Sequence, residues 1–387
     1  MVLFRDKAIT SRLCPAPACF RLGSDATNLP AGPRVILIVS LLLVILLTAC
    51  ASPAYYLQAT FGQMKLMRVR QDIQSILDDP ATDAELSADL EAAEQIKAFA
   101  YSTLNLPDSG SYSSYVKVET DAIVWNVIAT PEFSLQPRTW CFPVAGCVPY
   151  RGFFKQQKAL ESAVRLRKKG MDVVVSPAAA YSTLGWFKDP LLSTMTSGSD
   201  VRLAAYLFHE LAHQRLYLKD DGAFNEAYAS FVEDIGVEKW LNANQRQTEL
   251  LKWQQLQDAN RDFGRLIAHT RDELAALYAS TTEEAVKRSR KSEIFISLSR
   301  TYNQWRKDKW QNQPYYDHWF EKPLNNAKIA LHDTYEGGQC AFMELFDKAH
   351  GDMQEFHRLA EQQSRLQRDN RQLWLKQSCA NMESPGN

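Results

Sequence analysis

The sequence has no surplus of either charge. Its 44 Lys and Arg stand against 45 Asp and Glu, so nothing basic argues for a nucleic-acid partner. It has no internal repeat. It also falls short of a membrane span: the uncharged run near the N-terminus, Val35 to Ala49, is fifteen residues, whereas a spanning helix needs about twenty. Only seven cysteines are present. What the chain does have is a length of 387 residues, 45% of them hydrophobic, with 9 Trp, 15 Tyr and 18 Phe. That is enough to build a sizeable core in one large domain or two close-packed ones, and it argues against disorder.

The short apolar run has the length of a signal-peptide h-region. It ends in Leu47-Thr48-Ala49-Cys50, which looks like a bacterial lipobox, with the small Ala49 at the cleavage point and Cys50 as the lipidated residue. The alternative is an uncleaved anchor, and either way the body of the protein leaves the cytoplasm. Residues 1–33 are too long and mixed for an n-region, and a misassigned start codon is the expectation. Removing residues 1–49 takes five basic and two acidic residues and leaves a net charge of −4. With Cys50 lipidated, four cysteines remain, an even count that suits an oxidising compartment. Cys141 and Cys147 enclose a five-residue loop and are the expected pair. Cys340 and Cys379 form a second pair or stay free.

Periodicity gives a coarse map. One helix is expected from Tyr55 to before Pro80, and a second opens on a capping box of Thr82 and Glu85. Short strands are expected at 115–119, 123–129, 138–142 and 148–154, then a helix to Gly170 and a strand at 171–176. Asp200 is the expected N-cap of a helix over 201–218, followed by one over 224–241. Two long helices at 243–281 and 282–312 should pair, with two or three more beyond. The division expected is 1–49 extension and signal segment, 50–200 helices and sheet, 201–241 helix pair, and 242–387 helical region. The basic run Lys287 to Lys291 could sit on anionic lipid, but a solvated helix face is the preferred reading.

Within 201–241 lies His209-Glu210-Leu211-Ala212-His213. Four residues advance a helix by about 400°, so the two histidines share one face and can reach one metal ion. Glu210 lies beside that face, where a general base would be needed for a water attacking a carbonyl. Another thing missing is a third histidine: Leu216 and Lys219 stand where a metzincin would carry its Gly and His. Instead Asn225-Glu226-Ala227-Tyr228-Ala229 follows on the next helix, the context in which gluzincins supply a glutamate ligand. Asp220-Asp221-Gly222 would turn the chain back, and Ala227 and Ala229 would let the helices approach. The expected centre is therefore one zinc per chain on His209, His213 and Glu226. Glu233, seven residues after Glu226, or its neighbour Asp234, would orient a histidine.

Several stretches now resemble a known family, the bacterial lipoproteins described as predicted aminopeptidases with a gluzincin-type site. They are YYLQATFGQ after the lipobox, CFPVAGCVPYRGFF, AYSTLGWFKDPLLST, the zinc segment itself and PLNNAKIAL. The resemblance implies a zinc metallopeptidase acting on peptides, tethered through Cys50 and facing the periplasm, on the outer membrane rather than the inner. An oxyanion donor is expected from a downstream helix, with Tyr335 preferred over His332 and His318. Substrate would lie along Tyr181, Ser182, Thr183 and Gly185. The fold class expected is α+β and zincin-like, a small N-terminal sheet region packed on a mainly helical C-terminal part. No protein partner is expected. Two readings compete with the aminopeptidase: an endopeptidase or peptidoglycan-peptide hydrolase with the same chemistry, and a non-catalytic lipid-anchored binding protein.

Overall fold

The computed structural model describes residues 53–383 without 121, 143–145, 179–182, 184–186 and 337. The side chains of 53–54, 56, 142, 146, 332–336 and 377–383 also lie outside the description, as do the expected signal segment and Cys50.

The fold is α+β. The first half runs α1 (Pro53–Val69), β1 (Gln71–Asp72), α2 (Ile73–Leu77), α3 (Ala84–Ser102), β2 (Ser114–Val116), β3 (Val124–Pro131), β4 (Trp140–Phe142), β5 (Gly146–Val148), β6 (Arg151–Phe153), α4 (Gln156–Arg167) and β7 (Met171–Ala178). The second runs β8 (Leu191–Leu192), α5 (Ser193–Thr196), α6 (Asp200–Arg215), α7 (Gly222–Ala243), α8 (Gln247–Ala279), α9 (Glu284–Asp308), α10 (Asp317–Phe320), α11 (Asn326–Glu336), α12 (Gln339–Lys348), α13 (Met353–Ser364) and α14 (Arg368–Glu383). Among the described residues no helix is long and apolar enough to cross a membrane.

Among the described residues three small sheets carry the β content, in the orders β1-β2-β8, β6-β3-β7 and β4-β5. The middle one is the most extensive: β3 and β7 pair antiparallel from Val124 opposite Ala178 to Pro131 opposite Met171. α4 packs on it through Ala159, Ala163 and Leu166, and ends where Gly170 adopts φ +74° to turn into β7. The β4-β5 ribbon sets Cys141 opposite Cys147, and the two form a disulfide. Cys340 is also disulfide-bonded; the side chain of Cys379 lies outside the description.

Four local expectations need correcting, three of them because a different side chain satisfies the backbone. The first long helix breaks at Gln71–Asp72, since Asp72 accepts from Ser75 N at 3.0 Å and caps a new helix. α3 is capped by Asp83, which accepts from Glu85 N and Leu86 N, while the Thr82 hydroxyl donates to Ile76 O at 2.6 Å. Ser199 rather than Asp200 caps α6, and Asp200 instead receives two hydrogen bonds from Arg246, at 2.5 and 3.0 Å. α6 stops at Arg215, because Leu216 is extended.

The largest core runs from Leu66 to Leu375 and joins α3, β2, β8, α6, α7, α12, α13 and α14 around Phe208, Phe224, Tyr228 and Phe342. It thus draws on all three of the expected divisions after residue 50. A second, aromatic core lies between α8 and α9, where Phe263 stacks on Tyr316 at 3.8 Å. The basic run on α9 is no plain solvated face. Lys291 Nζ reaches Asp172 at 2.6 Å and Arg288 pairs with Glu132 at 2.7 Å, so the run clamps α9 onto the β3-β7 sheet.

Candidate metal centre

α6 and α7 lie side by side and run in opposite directions. The chain reverses over 216–221 with a side-chain clamp: Asn225 Oδ1 accepts from Leu218 N and its Nδ2 donates to Leu218 O, both at 2.7 Å. Asp221, buried at the start of α7, accepts from Phe224 N and is held by Arg371 of α14, whose Nε donates at 2.7 Å. Gly236 leaves room for a close contact between the helices. A Cβ there would lie 2.8 Å from Phe208, the residue before His209. Ala227 and Ala229 are fully buried as small residues must be, but Ala227 has its tight neighbour in Gly338, whose added Cβ would fall 3.3 Å away.

This packing brings His209, His213 and Glu226 together, with one ligand-capable atom from each within 4.8 Å of the others. The two Nε2 atoms are 3.2 Å apart. Glu226 Oε2 is 3.4 Å from His209 Nε2 and 3.7 Å from His213 Nε2. Despite that proximity the oxygen is buried without a hydrogen bond among the described residues, and so is His213 Nδ1. Buried polar atoms are rarely left this way. Three converging lone-pair donors with an unsatisfied oxygen fit a cation at their centre, and two imidazoles with one carboxylate are the donor set of a catalytic zinc.

The surroundings select the histidine tautomer. Glu233 Oε2 lies 3.0 Å from His209 Nδ1, so Nδ1–H donates to the carboxylate and Nε2 keeps its lone pair. Asp234 is turned away, accepting from Trp253 Nε1 at 2.8 Å. Burial opposes a charge on His209, but Glu226 and Glu233, with Glu210 nearby, outweigh it and hold the imidazole well above its usual range. Burial also opposes the Glu226 charge, yet the two histidines pull its carboxyl down to about 2. A field that strengthens proton binding between these groups also favours a divalent cation there. Glu210 is half-buried, and its carboxylate has no hydrogen bond or ion pair among the described residues.

The other expected site residues fare differently. Tyr335 falls on α11, which packs against α7, but its side chain lies outside the description, as does that of His332. His318 is exposed on α10, beside the aromatic core. Tyr181, Ser182 and Gly185 also lie outside the described residues. Thr183 is 3% exposed and faces inward, where its hydroxyl donates to Asp189 at 2.8 Å and accepts from Phe187 N at 3.0 Å. It pins its own loop and offers no surface to a substrate. Tyr217 is a further residue beside the site, one that no motif in the sequence marks. Its ring stands edge-on to His213 with centroids 6.2 Å apart. Burial raises its phenol, and the nearby Glu226 and Asp220 charges raise it further. Residue spacing does not mark it, because Tyr217 lies beyond the end of α6 and reaches His213 only through the extended turn at Leu216.

Fold and site together define an α+β protein with two histidines and a glutamate on adjacent helices placed so that they could hold a metal ion. The family described as "Putative aminopeptidase" matches residues 54–375, and the chain belongs to that family. No curated protein and no solved structure matches it.

Proposed function

We propose that this chain is a zinc-dependent aminopeptidase of zincin-like build, with one zinc per chain, held by a lipid on Cys50 at the periplasmic face of a bacterial membrane, the outer rather than the inner. The observation that carries the reading is the meeting of His209, His213 and Glu226 with a buried Glu226 oxygen left unpaired. The disulfide at Cys141–Cys147 and the bonded Cys340 support an oxidising compartment.

A zinc ion in this set supplies Lewis-acid polarisation of a carbonyl and acidifies a water. Every other role falls to the chain. Glu233 fixes the tautomer and ring direction of His209. Glu210, with no competing partner among the described residues, takes the proton of the attacking water and returns it to the leaving amine. Tyr335 is the preferred donor to the developing oxyanion, on a helix that packs against the Glu226 helix, and Tyr217 is the rival phenol beside His213.

The test joins metal content with substrate choice. One equivalent of zinc is expected in the native chain and none in Glu226→Gln. Peptides with a free N-terminus should be cleaved, and their N-acetylated forms should not. Equal cleavage of both would replace the aminopeptidase by an endopeptidase. Absence of zinc from a folded chain supplied with it would end the metallopeptidase reading and leave a binding protein.

A further inference from the structure

Helix α1 has two opposite apolar faces, and only one of them is covered. On the inner face Tyr55 meets Phe153 edge-on at 5.7 Å, and Gln58 Oε1 accepts from Phe154 N at 3.2 Å. Gly62 sits against the Phe154 ring so closely that an added Cβ would fall 2.3 Å from it, and Leu66 is buried. On the outer face Leu57, Phe61 and Met64 are 57%, 65% and 60% exposed. At about 100° per residue these three fall within about 60° of one another, on the side away from Tyr55, Gln58, Gly62 and Leu66. A stripe at this spacing is unlike single exposed apolar residues scattered over a surface.

Two further features say what covers it. The first is charge: α1 has no acid, while Lys65, Arg68 and the following Arg70 are all exposed. Arg68 continues the apolar stripe by one turn, where its stem can lie flat and its head reach outward. The second is connectivity. The Val35–Ala49 run ends at Cys50, three residues before Pro53. Three residues span at most about 10 Å. Whether the anchor is a lipid on Cys50 or the apolar run itself, α1 begins within that distance of a bilayer.

We propose that α1 lies in the headgroup region of a phospholipid bilayer containing anionic lipid, with Leu57, Phe61 and Met64 turned into the acyl boundary and Lys65, Arg68 and Arg70 on the phosphates. The helix then does more than continue the tether: clamped to β6 on its other face, it fixes how the body stands on the membrane. The inference rests on the anchoring part of the proposed function.

The experiment uses the full chain with its own N-terminal segment, reconstituted in phosphatidylethanolamine–phosphatidylglycerol vesicles. A photoreactive benzoylphenylalanine replaces Phe61 in one sample and Ile296, exposed on α9, in another. Lipid adducts at position 61 should exceed those at 296 by at least about tenfold, and the Leu57→Asp, Met64→Asp pair should cut them several-fold while the chain still sediments with the vesicles. Sedimentation with equal adducts at 61 and 296 overturns this inference and leaves the anchor standing. Adducts at 61 to a second copy of the chain overturn it in favour of self-association. A chain that does not sediment at all overturns the anchor and this inference together.

Discussion

Helix α7 separates two histidine environments. From one face Glu226 and Glu233 reach His209 and His213, and atoms are left without partners. From the opposite face, two residues on, Tyr228 reaches His357, and nothing is left over. Tyr228 Oη is 2.8 Å from His357 Nδ1, and His357 Nε2 is 2.8 Å from Leu104 O. Both imidazole nitrogens are used; burial keeps the ring neutral, so Nε2 donates to the carbonyl and Nδ1 accepts from the phenol. Burial pushes its pKa down to about 4, Arg215 adding to the effect against the Leu104 hydrogen bond. The same residue type has its proton affinity raised on one face and lowered on the other. A closed network stabilises a fold, whereas an incomplete one is a place for a ligand.

Four substitutions test that contrast, beginning with the largest effect. On the open face, Glu210→Gln should lower peptidase turnover by about 10²–10⁴-fold with zinc content and unfolding midpoint unchanged. A variant that keeps full turnover removes Glu210 from the chemistry. On the closed face, Arg371→Ala leaves Asp221 buried without its cation and should cost about 3–5 kcal/mol in urea unfolding. Zinc content should be retained in whatever fraction is folded.

The third concerns pH. The unfolded His357 titrates near its ordinary value of 6.5 and the folded one near 4. As pH falls from about 6.5 to 4 the unfolded state binds a proton that the folded state does not, so stability drops over that window by about 3 kcal/mol. Asp234, raised by burial to about 6, works in the opposite direction, because its folded state gains the proton first. The difference between native chain and His357→Gln isolates the histidine part. A difference that stays constant between pH 7 and 4.5 refutes it. The smallest effect is expected at the join of the two regimes. Glu233→Gln weakens the acceptor of His209 and should lower zinc affinity about 10–100-fold by competition with a chelator, with stability of the metal-free chain hardly altered.

Much of this was legible in residue order. The strands expected at 123–129 and 171–176, found at 124–131 and 171–178, and the paired long helices α8 and α9 follow from period-two and period-3.6 runs. The helix starts at Thr82 and Asp200 were misplaced by one residue, because several neighbouring side chains can cap and only the folded chain shows which oxygen points back. The place of Thr183 shortly before α6 suggests an edge strand or its loop along which substrate would lie, but Asp189, six residues away, turns its side chain inward.

What the sequence alone determined is the donor types and their phase: His209 and His213 one turn apart, and Glu226 on the next helix. These are properties of spacing along a single helix, where geometry is set by the backbone. Tertiary structure alone decided the rest. Glu233 rather than Asp234 meets His209, Arg371 meets Asp221 across 150 residues, and Gly236 rather than Ala227 or Ala229 leaves room for Phe208 against α7. Such choices depend on how one helix is rotated and advanced against another, and that is fixed by the packing of the whole core.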